Sequence, residues 1–509
     1  MKKTILFLLI MTLFNNVKGE SDSYTLQFTP DSYSIQSFTK DNQTYKVRAF
    51  ENIVYVANPV DTTYQKLNIY VPEAYFGGFT INGYTIRTAP VFFPNAIGGY
   101  MPALPMSLNN SEDPYGMPAG ARMQLPAPPA GADMKEGSAI HYALARGYIV
   151  VSAGARGRSL KNAEGLYTGK APAGLVDLKA AVCYLRYNDR SIPGDKSKII
   201  SNGTSAGGAM SLLLGATGNS LDYKPYLEEL GAPDISDAIF AVSAYCPITD
   251  LNHADCAYEW QFNGINSYEA RMMDFISGIK PAKDASTQLT AEQIRTSDQL
   301  KTLFPLYLNS LNLKDDNGNL LLLDEQGNGS LKEFVKSYVI ASAQSALDNG
   351  KDLSNIKWLI IENKKVTEID FDAYVRHMKR MKTPPAFDAF DLSTPETHLF
   401  GTVSIDAQHF TRFSYDNAPK KNTMADQKII DMMNPLHYIG LSVAETAGSW
   451  HIRYGSIDNN TSLAIEVIVA TYLKNKGYEV DFAIAWDRPH MGDYDLTELF
   501  DWIDTCCKR

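Results

Sequence analysis

The sequence predicts an α/β fold, with a mostly parallel, helix-covered sheet and one large inserted segment. Three observations predict it. Short apolar, β-branched runs alternate with helical stretches. A Gly-rich turn joins one of those runs directly to a helix. The alternation stops near residue 248 and resumes near residue 433.

The elements follow in chain order. Lys66–Val71 alternates polar and apolar residues, as a half-exposed strand does. Thr88–Phe93 and Gly147–Ala153 read as buried strands ended by Pro or Gly. Leu175, Leu178, Val182 and Leu185 mark one face of a helix. Lys198–Asn202 is a short strand, followed by the turn at Gly203 and a helix through Leu214. Ala238–Ala244 is another apolar strand. His451–Ile457 and Val480–Trp486 are two more, separated by a helix over Thr461–Lys476 that Gly477 stops. The segment 248–432 is more polar. It holds the turn Asp315-Asp316-Asn317-Gly318-Asn319 and amphipathic stretches such as Leu331–Ala346. Because sheet-type strands resume after it, we read it as a lid domain inserted into a core built from 20–247 and 433–509.

The bulk properties narrow the function classes. At 509 residues the chain is longer than one ordinary domain, and its 45% hydrophobic content allows a large core. The net charge is −10 and no Lys/Arg stripe is present, which excludes a basic nucleic-acid footprint. Lys2 and Lys3 precede an apolar run from Ile5 to Phe14, and Val17-Lys18-Gly19 supplies small residues after it. That order predicts a signal peptide cleaved after Gly19, and hence a secreted or periplasmic protein. The run is short for a bilayer span and no later stretch approaches eighteen apolar residues, so no stable membrane anchor is expected. Five cysteines form no disulfide framework and show no zinc-binding spacing. No metal or cofactor is implied, and oligomeric state is not encoded in any pattern we can read.

Gly203-Thr204-Ser205-Ala206-Gly207 matches G-x-S-x-G. In that motif a Ser occupies a strained strand-to-helix turn, and small flanking residues let neighbouring backbone approach. Alone the pentapeptide is weak in a chain with 35 glycines. Here Ile199-Ile200 precede it in a strand and Ala209–Leu214 follow in a helix, which is the context the motif requires. This is the nucleophile turn of the α/β-hydrolase fold. A serine hydroxyl needs a base, usually His, and an acid to orient it. The order in this fold is Ser, Asp, His. His490 lies in a loop just beyond Val480–Trp486, and Asp458 just beyond His451–Ile457, where such sheets place their sites. Asp487 and Asp493 are rival acids close to His490; Asp458 is preferred because the acid normally comes from a separate strand end. An oxyanion hole needs two backbone N–H donors. Ala206 supplies one, and the Asn95-Ala96-Ile97-Gly98-Gly99-Tyr100 loop suits the other.

At these residues the chain resembles bacterial tannase (tannin acyl hydrolase). The likeness is carried by Asn202-Gly203-Thr204-Ser205-Ala206-Gly207-Gly208, by Pro94-Asn95-Ala96-Ile97-Gly98-Gly99-Tyr100, and by His451-Ile452-Arg453 through Asp458 to Asp487-Arg488-Pro489-His490-Met491-Gly492-Asp493-Tyr494-Asp495. Less specific likeness runs through Ala244–Ile248, Ala257–Gly264 and Pro385–Asp388. The resemblance implies a lidded hydrolase that cleaves galloyl esters, with Ser205, Asp458 and His490 as triad and Gly99 and Ala206 as oxyanion donors. It also implies that Lys382 and Glu396 bind gallate hydroxyls and that Ile248 packs on the ring. One position departs: the family pattern carries a second hydroxyl-binding acid where Asn460 stands, which removes a charge. A loop around Asn109–Pro128, rich in Pro, Met and Gly, looks inserted. The expected substrate is a small polyphenol ester. The alternatives are a feruloyl or general carboxylesterase, and a non-catalytic hydrolase-fold binding protein.

Overall fold

The computed structural model describes residues 23–110, 138–269 and 286–508. The export segment expected at 1–19 lies outside them, as does most of the loop at 109–128.

Nine strands form one sheet: β1 (Ser34–Lys40), β2 (Gln43–Val54), β3 (Lys66–Pro72), β4 (Pro90–Pro94), β5 (Ile149–Ala153), β6 (Asp195–Thr204), β7 (Ala241–Tyr245), β8 (Ser449–Gly455) and β9 (Glu479–Ala485). Their order across the sheet is β1-β2-β3-β5-β4-β6-β7-β8-β9. The first four in that order pair antiparallel. From β5 to β9 every pairing is parallel. β4, β5, β7 and β8 are buried at every residue, because helices cover both faces of a parallel sheet.

Two sequence expectations need correction. β3 is not half-exposed: six of its seven residues are buried, because it lies inside the sheet between β2 and β5. The β1–β2 hairpin went unread. In β1 only Phe38 is buried, so the edge carries almost no apolar pattern to detect.

The helices α1 (Ala173–Tyr187) and α2 (Ala206–Ala216) cover the centre of the sheet, and all of α2 is buried. The adjacent parallel strands β6, β7, β8 and β9 end on one edge, where α/β sheets hold their ligands. β7 and β8 are hydrogen-bonded neighbours, yet the whole of 248–432 runs between them. That stretch leaves the sheet and forms the helices α3 (Leu251–Phe262), α4 (Ala291–Ser310), α5 (Ser330–Asp348) and α6 (Phe371–Met378), with a small ribbon of Leu359–Glu362 on Lys365–Ile369. The chain then returns through β8 to α7 (Leu463–Asn475), and β9 follows. All five cysteines are buried, and none of them forms a disulfide. Among the described residues, no helix is long and apolar enough to cross a membrane.

Candidate active site

Ser205 closes the turn between β6 and α2. Its φ is +60° and its ψ −123°, a conformation a non-Gly residue adopts only when its surroundings impose it. The impositions are visible. The Ser205 N–H donates to the Tyr245 carbonyl at 2.9 Å, and its own carbonyl accepts from Ile248 N at 3.2 Å. A Cβ at Gly207 would stand 2.7 Å from Asn95 Oδ1 and 2.9 Å from the Ile97 carbonyl, and one at Gly203 would overlap the Gly207 carbonyl. The small residues flanking the serine are therefore required by backbone packing.

His490 follows β9 and Asp458 follows β8. His490 Nδ1 lies 2.7 Å from Asp458 Oδ2. Asp458 is fully buried, and the His490 side chain is 10% exposed. The other carboxylate oxygen accepts from Asn460 N at 2.8 Å. Burial pushes the Asp458 carboxyl up, but the imidazole, the Asn460 N–H and the Cys246 thiol outweigh it and hold it below its ordinary value. The helix α7 is capped by Ser462, so Asp458 is free of that task. The rival acids serve elsewhere. Asp487 is exposed. Asp493 is partly buried, accepts from Asn202 Nδ2 at 3.2 Å and is pushed up to about 6 by desolvation.

The loop carrying His490 is drawn over the serine turn. A Cβ at Gly492 would meet the Thr204 side chain, immediately before Ser205. Asp495 anchors the far end of the loop. It accepts from Arg453 Nε at 2.8 Å and from the Tyr245 hydroxyl at 2.5 Å, so β7 and β8 both hold it. Arg453 Nη1 and Nη2 donate to Asp481 of β9, and Nη1 also to the Ile452 carbonyl.

The Gly99 loop follows β4. Gly99 and Tyr100 have φ of +54° and +58°. Among the described residues, no hydrogen bond uses the Gly99 N–H. Ala206 is the first residue of α2, where an N–H has no intrahelical partner. The Tyr100 hydroxyl donates to the Ile248 carbonyl at 2.6 Å, which fixes this loop against the residue expected to face the ring.

Lys382 and Glu396 come from the segment between β7 and β8. The buried Arg380 ion-pairs with Glu259 and donates Nε to the Lys382 carbonyl at 2.8 Å. The Lys382 N–H donates to the Tyr258 hydroxyl at 3.1 Å, so α3 sets its place. Its ammonium lies 3.8 Å over the Phe387 ring. Burial pushes that ammonium down, opposed by Glu396, Asp255 and Asp458. Burial pushes the Glu396 carboxyl up, opposed by Lys382 and Arg158. Lys382 thus lies within electrostatic reach of Asp458, and Glu396 within reach of Tyr100 in the Gly99 loop. Asn460 is two residues from Asp458, to which its backbone is bonded.

Sequence reasoning missed two residues at this site. Arg158 donates Nε to the Gly99 carbonyl at 2.8 Å. The Cys246 thiol donates to the Met491 carbonyl at 3.5 Å and lies close to the Asp458 carboxylate, which it helps to hold below its ordinary value. Cys246, Asp458 and His490 are also the one cluster of His, Cys and carboxylate among the described residues tight enough to share a cation. Neither residue has a local signal. A motif at 246 or 158 exists only once distant strands are side by side.

The arrangement has the parts of nucleophilic acyl transfer, and known proteins carry the same fold. A family model described as BD-FAE matches residues 131–293. Comparison with curated proteins returns no match. A crystal structure of Fusobacterium nucleatum tannase is 47% identical, covering 95% of this chain and 100% of that one, with a TM-score of 0.85. A tannin acyl hydrolase from Lactobacillus plantarum is 42% identical over 95% of this chain and 99% of that one, with a TM-score of 0.85.

The chain belongs to the tannase family.

A tannin acyl hydrolase solved in complex with ethyl gallate matches equally, at 42% identity over 95% of this chain and 99% of that one, with a TM-score of 0.84. Membership accounts for the α/β-hydrolase core and its mostly parallel sheet.

Proposed function

We propose that this tannase-family chain hydrolyses galloyl esters through an acyl-enzyme on Ser205. His490 Nε2 takes the Ser205 proton while Nδ1–H stays bonded to Asp458. Ser205 Oγ attacks the galloyl carbonyl, and the N–H groups of Gly99 and Ala206 receive the developing oxyanion. The protonated imidazole returns its proton to the departing alcohol. Water, deprotonated by the same imidazole, then releases gallate and regenerates Ser205.

One observation carries the reading: a serine held at φ +60° in a turn against which packs the loop whose imidazole is bonded to a buried carboxylate at 2.7 Å. The gallate part rests on family membership and on the opposed charges of Lys382 and Glu396. An ammonium can donate to a phenolic oxygen and a carboxylate can accept from a phenolic O–H, both as charge-assisted bonds. Ile248, 5% exposed, offers the ring an apolar wall. Asn460 offers an uncharged contact where the family pattern has an acid. We assign 248–432 as the lid, which supplies Lys382 and Glu396. The N-terminal segment is assigned to export, with Glu20 as the first residue of the mature chain.

Comparison of kcat/KM on methyl gallate, methyl ferulate and p-nitrophenyl acetate tests the substrate. A preference for methyl gallate of about 100-fold or more is expected, because a site built to bond hydroxyls rejects esters that lack them. Preference for methyl ferulate would make the chain a feruloyl esterase. Failure of a fluorophosphonate probe to label the protein would leave only a binding role.

A further inference from the structure

The Gly99–Tyr100 turn holds two consecutive residues at positive φ, and the second is a bulky tyrosine. Rotating the peptide between them would return Tyr100 to the negative φ that L-residues prefer. It would also reverse the Gly99 carbonyl and disturb the adjoining Gly99 N–H. Something must hold that peptide in place. Main-chain bonds tie down its surroundings: Met101 N to the Gly98 carbonyl, Arg158 N to the Tyr100 carbonyl, and a reciprocal pair between Ala103 and Ala155, all at 2.9 Å. None of them grips the Gly99 carbonyl. The bond that does is the 2.8 Å one from Arg158 Nε.

The placement of Arg158 suits the task. Gly157 lies so close to the 101–102 backbone that a Cβ there would overlap it, so the segment carrying Arg158 cannot drift from the turn. Arg158 is also in the electrostatic field of Glu396, the carboxylate expected to meet a phenolic hydroxyl. Its guanidinium thus grips the oxyanion loop while lying in the field of that carboxylate.

We propose that Arg158 is a positioning residue for the reaction: its guanidinium latches the Gly99–Tyr100 peptide so that the Gly99 N–H faces the tetrahedral intermediate. This rests on the acyl-enzyme reading above. The latch acts in the transition state of both acylation and deacylation, so it governs kcat more than KM.

The experiment is steady-state methyl gallate hydrolysis by R158A, with and without tens of millimolar guanidinium, against NaCl of equal ionic strength. R158A should lose about 10- to 100-fold in kcat, the size of a displaced rather than deleted oxyanion donor, with KM changed by less than about threefold. Guanidinium should restore part of the loss and NaCl none, and the melting temperature should hold, since the main-chain bonds remain. Unchanged kcat, a rise in KM alone, or a loss that guanidinium cannot reverse would each overturn the inference. Wild-type protein inert towards methyl gallate would instead sink the acyl-enzyme reading itself.

Discussion

Asp458→Asn isolates the electrostatic core of the site, and the hydrogen-bond pattern dictates its outcome. Asp458 Oδ1 accepts from the Asn460 N–H at 2.8 Å, and Oδ2 faces His490 Nδ1 at 2.7 Å. In the amide, the oxygen must stay opposite Asn460, because an NH2 there would meet another donor. The NH2 is then turned towards His490 Nδ1, which must become an acceptor. The imidazole proton moves to Nε2, the atom that has to accept from Ser205. The variant keeps its shape and loses its base. Wrong-tautomer substitutions of this kind cost about 10⁴ in kcat, equivalent to about 5 kcal/mol of transition-state stabilisation. The assay is methyl gallate turnover, with circular dichroism and melting as fold controls. A D458N enzyme within about tenfold of wild type would refute the orientation argument, since tenfold is only about 1.4 kcal/mol.

Three further outcomes follow from the same geometry. Glu396→Gln should cut kcat/KM for methyl gallate about 10- to 100-fold relative to methyl benzoate, which has no hydroxyls for it to accept from; an unchanged ratio would remove Glu396 from ring recognition. Gly203→Ala should lower the unfolding free energy by about 1–3 kcal/mol in urea titration, because its methyl overlaps the Gly207 backbone; an unshifted midpoint would show that the turn is looser than described. Asp255, buried beside Asp388 in the loop region that carries Lys382, is pushed up to about 7 by burial and by that neighbour. A carboxyl raised in the folded state stabilises the fold below its ordinary value of 3.8 and loses that stabilisation as pH rises through 7. D255N should therefore gain on wild type by about 4 kcal/mol between pH 4 and pH 7, and parallel stability curves would contradict this.

How far the sequence could be read depended on whether a signal was local. The core strands and the serine turn were legible because their evidence lies within a few neighbouring residues: apolar runs such as Pro90–Pro94 and Ile149–Ala153, and small residues around Ser205. Asp458 and His490 were legible because both directly follow apolar strands. The β1 edge was illegible for the opposite reason, with one buried residue in seven. Lys382 and Glu396 look like surface charges on their own, and only the resemblance singled them out. The setting of Lys382 depends on Arg380, Tyr258 and Phe387, which meet it only after the segment between β7 and β8 folds back. Arg158 and Cys246 act through a main-chain carbonyl and a buried carboxylate that are remote in sequence, so no window of residues reveals them. The charge network of Arg453, Asp481 and Asp495 explains why likeness to the family extends past the triad. Those residues fix the loop that presents the base.

The central claim is that Ser205 is the atom donor to the acyl group. Gallic acid release from methyl gallate by Ser205→Ala, measured beside wild type at saturating substrate, tests it most directly. kcat should fall about 10⁵-fold or more, because the remaining groups can only bind and polarise the ester. Turnover that survives the substitution would contradict it.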